Sequence, residues 1–316
     1  MRSNFEVEGN GLNPDLHPLL YRIYLGREIV NFEEIELGLE NLLSPTDLLG
    51  LNKASDLLCS ALEKQSRILI VADFDADGAT SCVLAIQALR SFGFNWVDYI
   101  VPNRFEFGYG LTPEIVEMAK SRHPDLIITV DNGISSVDGV DVARASGIQT
   151  LVTDHHLAGQ VLPKADVIVN PNQPGCRFKS KALAGVGVIF YLMLGVRRAL
   201  RERDYFKKKG ISEPRLSELL DLVALGTVAD VVPLDRNNRI LVGEGIKRIR
   251  AGRSRPGIYS LLKLAAKDPA NIVASDLGFY VGPRLNAAGR LDDMTTGIEC
   301  LLAGDESSSY SFACQL

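Results

Sequence analysis

Residues 67–92 read RILIVADFDADGATSCVLAIQALRSF, and the reading of this stretch decides the fold. Arg67–Ala72 is a short, unbroken apolar run rich in β-branched residues, the composition of a strand covered on both faces. From Thr80 to Phe92 the apolar residues recur at helical spacing. An acidic cluster, Asp73-Phe74-Asp75-Ala76-Asp77-Gly78, separates the two. The same grammar repeats downstream. Residues 97–101 read as a strand, and Thr112-Pro113-Glu114 reads as a helix start, with Thr as the N-cap and Pro in the first turn. LIITV (126–130) is a strand that runs into Asp131, and QTLVT (149–153) one that runs into Asp154-His155-His156. A further short strand lies at 167–169. Strands alternating with helices of about a dozen residues predict an α/β fold, a doubly wound and mostly parallel sheet.

Outward from this block the pattern is helical. Residues 1–15 are polar and rich in Gly and Asn, and 16–62 read as short helices. After Leu183 the spacing predicts helices over 183–201, 216–225, 240–250 and 258–266. The expected organisation is an N-terminal arm with helices over 1–49, the sheet domain over 50–236, and a helical connector over 237–316. With 46% apolar and 23% charged residues among 316, the chain has ample core material, which excludes disorder for most of it. Lys plus Arg number 34 and Asp plus Glu 39, a net charge of −5, so a wholly basic nucleic-acid coat is excluded but a local basic groove is not. No run approaches the ~18–20 apolar residues of a membrane span, and the N-terminus carries no apolar signal segment. The expected location is therefore the cytoplasm, with no membrane partner. The five cysteines form no C-x-x-C pair, which points to reduced thiols.

Three strands thus stop at acids or histidines, and a fourth acid, Asp230 in GTVADVVPL, lies just past a helix. In an open parallel sheet, ligands bind beyond the carboxyl ends of the strands, so these groups are expected to share one crevice. Six carboxylates in one pocket repel by several kcal/mol per pair at low dielectric and stay ionised together only around cations. Oxygen-rich ligation with one or two imidazoles suits Mn²⁺ or Mg²⁺ better than Zn²⁺. Asp75 and Asp77, two residues apart, point the same way if the chain stays extended, so each can ligate one ion of a pair. Two ions ~3.5–4 Å apart form a known clamp for phosphoryl transfer to water. A single strand-end Asp, such as Asp73 or Asp131, is more often a helix cap, and a lone His pair is more often hydrogen-bonded core. Acids at three strand ends, with two of the four histidines at one of them, are hard to generate from capping alone. No P-loop, nucleophile elbow or H-E-x-x-H is present. The glycines of AGVGVIF lack the third glycine of a dinucleotide site and read as helix packing.

DFDADGAT (73–80), VDNGIS (130–135), TDHH (153–156) and GTVADVVPL (226–234) resemble the four motifs of the DHH phosphoesterase superfamily. VPNRFEFGYGL (101–111), NPNQPGC (170–176), LAGVGVIFYLML (183–194) and GPRLNAAGRLDD (282–293) resemble its bacterial single-stranded-DNA-specific exonucleases. The resemblance implies hydrolysis of single-stranded DNA from the 5′ end to 5′-mononucleotides, in recombination and repair, with two Mn²⁺ or Mg²⁺ ions. It implies Asp75, Asp77, Asp131, His155 and Asp230 as metal ligands, with Asp131 bridging. It also implies His156 at the scissile phosphate and the leaving oxygen, and Asp131 and His156 as the catalytic pair. Asp73 and Asp154 stand behind the ligands, and Arg104, Arg284, Asn286 and Arg290 fall on the substrate side. Single-strand-binding protein and a repair helicase are the protein partners it implies. Such exonucleases continue into a second lobe with a GGGH-type motif and an oligonucleotide-binding fold, so the chain is expected to be C-terminally truncated.

Two further features bear on nucleic acid. Residues 236–263 hold eight basic residues against one acid, Glu244, a run that could track a phosphate backbone or be a solvated helix face. Phe105, Phe107 and Tyr109 flank Arg104 and could stack a base or anchor their loop. The alternatives to the exonuclease are a DHH phosphoesterase for short oligonucleotides or small nucleotides, and a non-catalytic single-strand binding module.

Overall fold

A computed structural model describes residues 16–27, 29, 31–102, 107–291 and 294–316. Five strands, β1 (Ile68–Ala72), β2 (Val97–Ile100), β3 (Leu126–Val130), β4 (Gln149–Thr153) and β5 (Val167–Val169), form one sheet in the order β2-β1-β3-β4-β5. Every pairing is parallel. The helices used below are α1 (Pro18–Leu25), α2 (Leu51–Glu63), α3 (Ala76–Phe92), α4 (Pro113–Lys120), α5 (Val137–Ala145) and α6 (Gly185–Glu202). They continue as α7 (Leu220–Ala229), α8 (Arg236–Arg250), α9 (Pro256–Leu264), α10 (Gly282–Leu291), α11 (Thr295–Leu302) and α12 (Glu306–Ala313).

The unbroken apolar strands have the reason expected of them. Ile68, Ile70 and Ala72 face a large core with α2, α3, α6 and α7, whereas Leu69, Val71 and Ile127 face a second core with α4 and α5. The sheet is therefore covered on both sides, as a doubly wound fold requires. The helices from α8 onward, through Leu241, Ile258, Leu285 and Ile298, enter the first of these cores.

Register then places the chemistry. Ala72 lies opposite Val130, Val130 opposite Thr153, and Thr153 opposite Val169. The residues that follow, Asp73, Asp131, Asp154 and Asn170, consequently leave the sheet side by side. The strand order reverses between β1 and β3, and ligands bind at such a switch point.

Local differences from expectation are small. The strand expected over 97–101 ends at Ile100, and the helix expected from 216 is a 3₁₀ turn, Leu216–Leu219, leading into α7. Helix α8 starts at Arg236, four residues before its apolar periodicity, because Asp235 caps it by accepting the Asn238 N–H at 2.9 Å. Thr112 caps α4 as read, its hydroxyl accepting the Ile115 N–H at 3.4 Å. A π-helical turn, Leu277–Val281, was not legible. Among the described residues no helix is long and apolar enough to cross a membrane.

Candidate metal centre

The chain after β1 does not stay extended. Asp75 is the N-cap of α3, its Oδ1 accepting the Gly78 N–H at 2.9 Å, and Asp77 already lies in the first helical turn. The expectation that the two carboxylates project alike from an extended segment is thus corrected, because helix formation sets in at Ala76. The cap suggested for Asp73 or Asp131 belongs to Asp75. Asp73 instead accepts the N–H of its neighbour Phe74 at 2.8 Å. Asp77 is held from a distant part of the chain, its two oxygens accepting N–H groups of Gly185 (2.6 Å) and Val186 (2.9 Å) at the start of α6. A buried anion at a helix N-terminus is electrostatically favoured.

Asp131 sits at φ +63°, the left-handed region that Asp tolerates better than most residues. A Cβ on Gly185 would stand 2.5 Å from Asp131 Oδ1. Gly185 therefore serves the site by close approach of its backbone, a more specific reason than the helix packing expected of it. Gly185→Ala is expected to displace Asp131 or the start of α6 and to destabilise the protein by about 1–3 kcal/mol. A parent-like denaturation midpoint would contradict this.

The histidine segment is clamped on several sides. Fully buried Asp154 accepts the N–H groups of Ile134 (2.9 Å), His155 (2.7 Å) and His156 (3.1 Å), and lies 2.8 Å from His156 Nδ1. Asn172 donates to the His155 carbonyl at 2.6 Å and Asn170 to that of His156 at 2.9 Å. Tyr109, read from sequence as stacking a base or anchoring its loop, places its hydroxyl 3.1 Å from His156 Nδ1 and 3.2 Å from the Asp131 carbonyl oxygen, to which it donates. Its ring meets that of His156 edge-on at 5.7 Å. The Asn-Pro-Asn after β5 was visible in sequence only as a motif without a role.

His155 Nε2 lies 3.1 Å from Asp131 Oδ1 and 3.5 Å from Asp230 Oδ2. These three atoms are buried, and none has an aligned hydrogen-bond partner among the described residues. Three sets of candidate donors, Asp77/His155/Asp230, Asp131/His155/His156 and Asp73/Asp75/Asp131, each gather within 4.8 Å. All five residues expected to ligate metal, together with Asp73 and His156, therefore meet in one crevice.

The electrostatics follow from this crowding. Burial, reinforced by neighbouring carboxylates, holds Asp77 and Asp131 well above the usual carboxylate range. Burial and the charge of Asp75 push Asp73 and Asp230 up to about 7. Burial and His156 pull His155 down to about 4, which leaves it a neutral imidazole, the form that ligates metal. The hydrogen bond to Asp154 raises His156. Asp154 is lowered because the His156 bond and charge and the amides of Ile134 and His156 outweigh its burial.

A pH dependence results. Between an ordinary carboxylate pKa and about 7, folded Asp73 and Asp230 hold protons that the unfolded chain releases, so stability falls as pH rises through that window. The metal-free protein is expected to be more stable at pH 6 than at pH 8, by on the order of 2 kcal/mol, and to melt correspondingly higher. Depressed His155 acts oppositely below its ordinary pKa and flattens the gain on further acidification. Mn²⁺ at pH 8 is expected to restore the loss. Melting curves with chelator that do not move between these pH values would refute the crowding.

The substrate-side expectations fare differently. Arg104 and the side chain of Arg290 lie outside the described residues. Arg284 is half-buried near the start of α10. The Asn286 side-chain oxygen accepts the N–H of Ala76 at 2.7 Å. Of the eight cations in the basic run over 236–263, five are engaged by the chain itself. Arg255 is buried in a two-pronged pair with Asp221 (3.1 and 2.8 Å). Arg250 donates to the Ile272 carbonyl and Arg239 to that of Glu34, while Lys247 pairs with Glu244 and Lys263 with Glu306.

Comparison with known proteins adds a family. Residues 67–227 match the model of the DHH family, N-terminal domain. The single-stranded-DNA-specific exonuclease RecJ of Dickeya dadantii (strain 3937) is 58% identical over 293 residues, 92% of this chain and 51% of that protein. RecJ of Thermus thermophilus in complex with Mn²⁺ superposes with a TM-score of 0.74 at 30% identity, covering 92% of this chain and 40% of that one. Its complex with Mg²⁺ gives 0.64 at 28% identity, covering 92% and 37%. The chain spans about half or less of the length of the curated relatives it matches.

Proposed function

This chain belongs to the DHH family, and from that membership and its acidic rim we propose that it carries the catalytic centre of a RecJ-type exonuclease. The reaction is metal-dependent hydrolysis of single-stranded DNA from the 5′ end to 5′-mononucleotides, with two Mn²⁺ or Mg²⁺ ions. One observation carries the reading. Asp131 Oδ1, His155 Nε2 and Asp230 Oδ2, from three separate segments, are buried together without hydrogen-bond partners among the described residues. Buried polar atoms are nearly always paired, and a bare divalent cation is the partner that suits two carboxylate oxygens and a neutral imidazole.

Asp75, Asp77, Asp131, His155 and Asp230 would hold the ions. Asp131 belongs to a donor set with the histidines and to another with Asp73 and Asp75, which suits a bridging position. When bound, such ions lower the pKa of a water and neutralise phosphate charge. The protein's own groups do the rest. Asp154 supports the ligands from behind and fixes the ring of His156, whereas Asp73, which the resemblance puts behind them, shares a donor set with Asp75 and Asp131. His156, raised by Asp154, keeps a proton nearer neutral pH and suits protonation of the leaving oxygen. Arg104, Arg284 and Arg290 supply guanidinium forks for phosphate. Single-strand-binding protein and a repair helicase, in the cytoplasm, are the protein partners on the same footing.

The test is digestion of 5′-labelled single-stranded DNA by this chain. Mn²⁺-dependent release of labelled 5′-mononucleotide is expected. Hydrolysis of dinucleotides, with long strands neither bound nor degraded, would overturn the reading in favour of a small-nucleotide phosphoesterase.

A further inference from the structure

Helix α10 grips the loop that carries Asp73, Asp75 and Asp77. The Asn286 side-chain oxygen accepts the Ala76 N–H at 2.7 Å, joining residues 210 apart in sequence. Ala76 stands between Asp75 and Asp77, and its N–H is one of the helix-start donors that no carbonyl within α3 can satisfy. Asp75 already takes the Gly78 N–H, so it is Asn286 that satisfies Ala76. One turn further along α10, Gly289 lies flush on the same loop, where a Cβ would stand 1.8 Å from the Phe74 carbonyl oxygen. The backbone is thus held on either side of Asp75 by one helix, at the Phe74 carbonyl and at the Ala76 amide.

We propose that Asn286 is a positioning residue for the metal centre, one that orients the Asp75–Ala76 peptide and thereby the convergence of the Asp75 and Asp77 carboxylates. Its sequence-based assignment was to the substrate. The inference rests on the metal reading of this loop. Rotation of that peptide plane swings the residues on both sides of it, and among the described residues no other side chain bonds to the Ala76 N–H. Outer partners of metal ligands typically carry about 10–100-fold of metal affinity.

The test is calorimetric Mn²⁺ titration of the parent, Asn286→Ala and Asn286→Asp, with the affinity of each for a single-stranded oligonucleotide measured at saturating Mn²⁺. Asn286→Ala is expected to weaken Mn²⁺ binding about tenfold or more while leaving DNA affinity unchanged. Asn286→Asp keeps an acceptor oxygen and is expected to bind Mn²⁺ at least as tightly as the parent. Should the alanine variant not fold, the aspartate variant decides alone: tenfold loss of Mn²⁺ affinity overturns the assignment, and retention supports it. Unchanged Mn²⁺ affinity in Asn286→Ala also overturns it. Weakened DNA binding, worst in Asn286→Asp where a carboxylate repels phosphate, would then return Asn286 to the substrate. Lower melting temperatures alone would make its bond a purely structural one. A parent that binds no Mn²⁺ defeats the metal reading itself, a separate failure.

Discussion

Asp131→Asn is expected to lose Mn²⁺ binding and, at the same time, to raise the melting temperature of the metal-free protein at pH 8. The two effects share one cause. Asp131 is buried beside Asp77, Asp75, Asp73 and Asp230, and every one of these charges opposes its ionisation. Without a cation, removing one negative charge relieves that repulsion, so the metal-free variant is the more stable. With a cation, the same charge is the attraction, and its loss should exceed the ~10–100-fold effect typical of outer partners. Asn is the substitution of choice because it keeps the shape of the side chain and tolerates φ +63°, where Ala would add strain of about 1 kcal/mol. Calorimetry and melting curves read the two quantities separately. Undiminished Mn²⁺ affinity would remove Asp131 from the metal centre.

His156→Ala is expected to retain Mn²⁺ and to hydrolyse single-stranded DNA about 10²–10⁴-fold more slowly, the range for loss of a positioned general acid. Three groups single out this imidazole. Asp154 bonds Nδ1 and raises its pKa, Tyr109 adds a second contact at the same nitrogen, and Asn170 fixes the backbone carbonyl. That is the support expected of a group that must keep both a proton and an orientation. His155 is its counterpart, driven neutral by burial and aimed at Asp131 and Asp230. Two adjacent histidines thus have their pKa values moved in opposite directions by their surroundings. Loss of Mn²⁺ binding in His156→Ala would instead make His156 a ligand, an arrangement its proximity to Asp131 and His155 permits. Normal turnover would deny it any part in the reaction.

Much of this was legible beforehand because it is written in local pattern. RILIVA and LIITV announce strands buried on both faces, and the acids that follow them announce a rim. The crowding of six carboxylates was already an argument for cations. The illegible parts depend on contacts across the chain. Asp77 meets Gly185 and Val186 at a sequence separation of just over a hundred residues, and Ala76 meets Asn286 at 210. Nothing in D-x-D spacing says that the first acid caps a helix and the second sits inside it. The partners of the basic run 236–263 were illegible for the same reason, since Asp221, Glu306 and the Ile272 carbonyl meet three of its cations only once the helices pack.

By itself the sequence determined a parallel α/β sheet with acids and two histidines at its carboxyl edge, since strand composition and period depend only on neighbours along the chain. The tertiary structure alone decided which atoms face one another: the register that brings Asp73, Asp131 and Asp154 level, the opposite pKa displacements of His155 and His156, and the hold of α6 and α10 on the metal loop. Those outcomes turn on distances of about 3 Å between segments, where burial and Coulomb energy are set by packing.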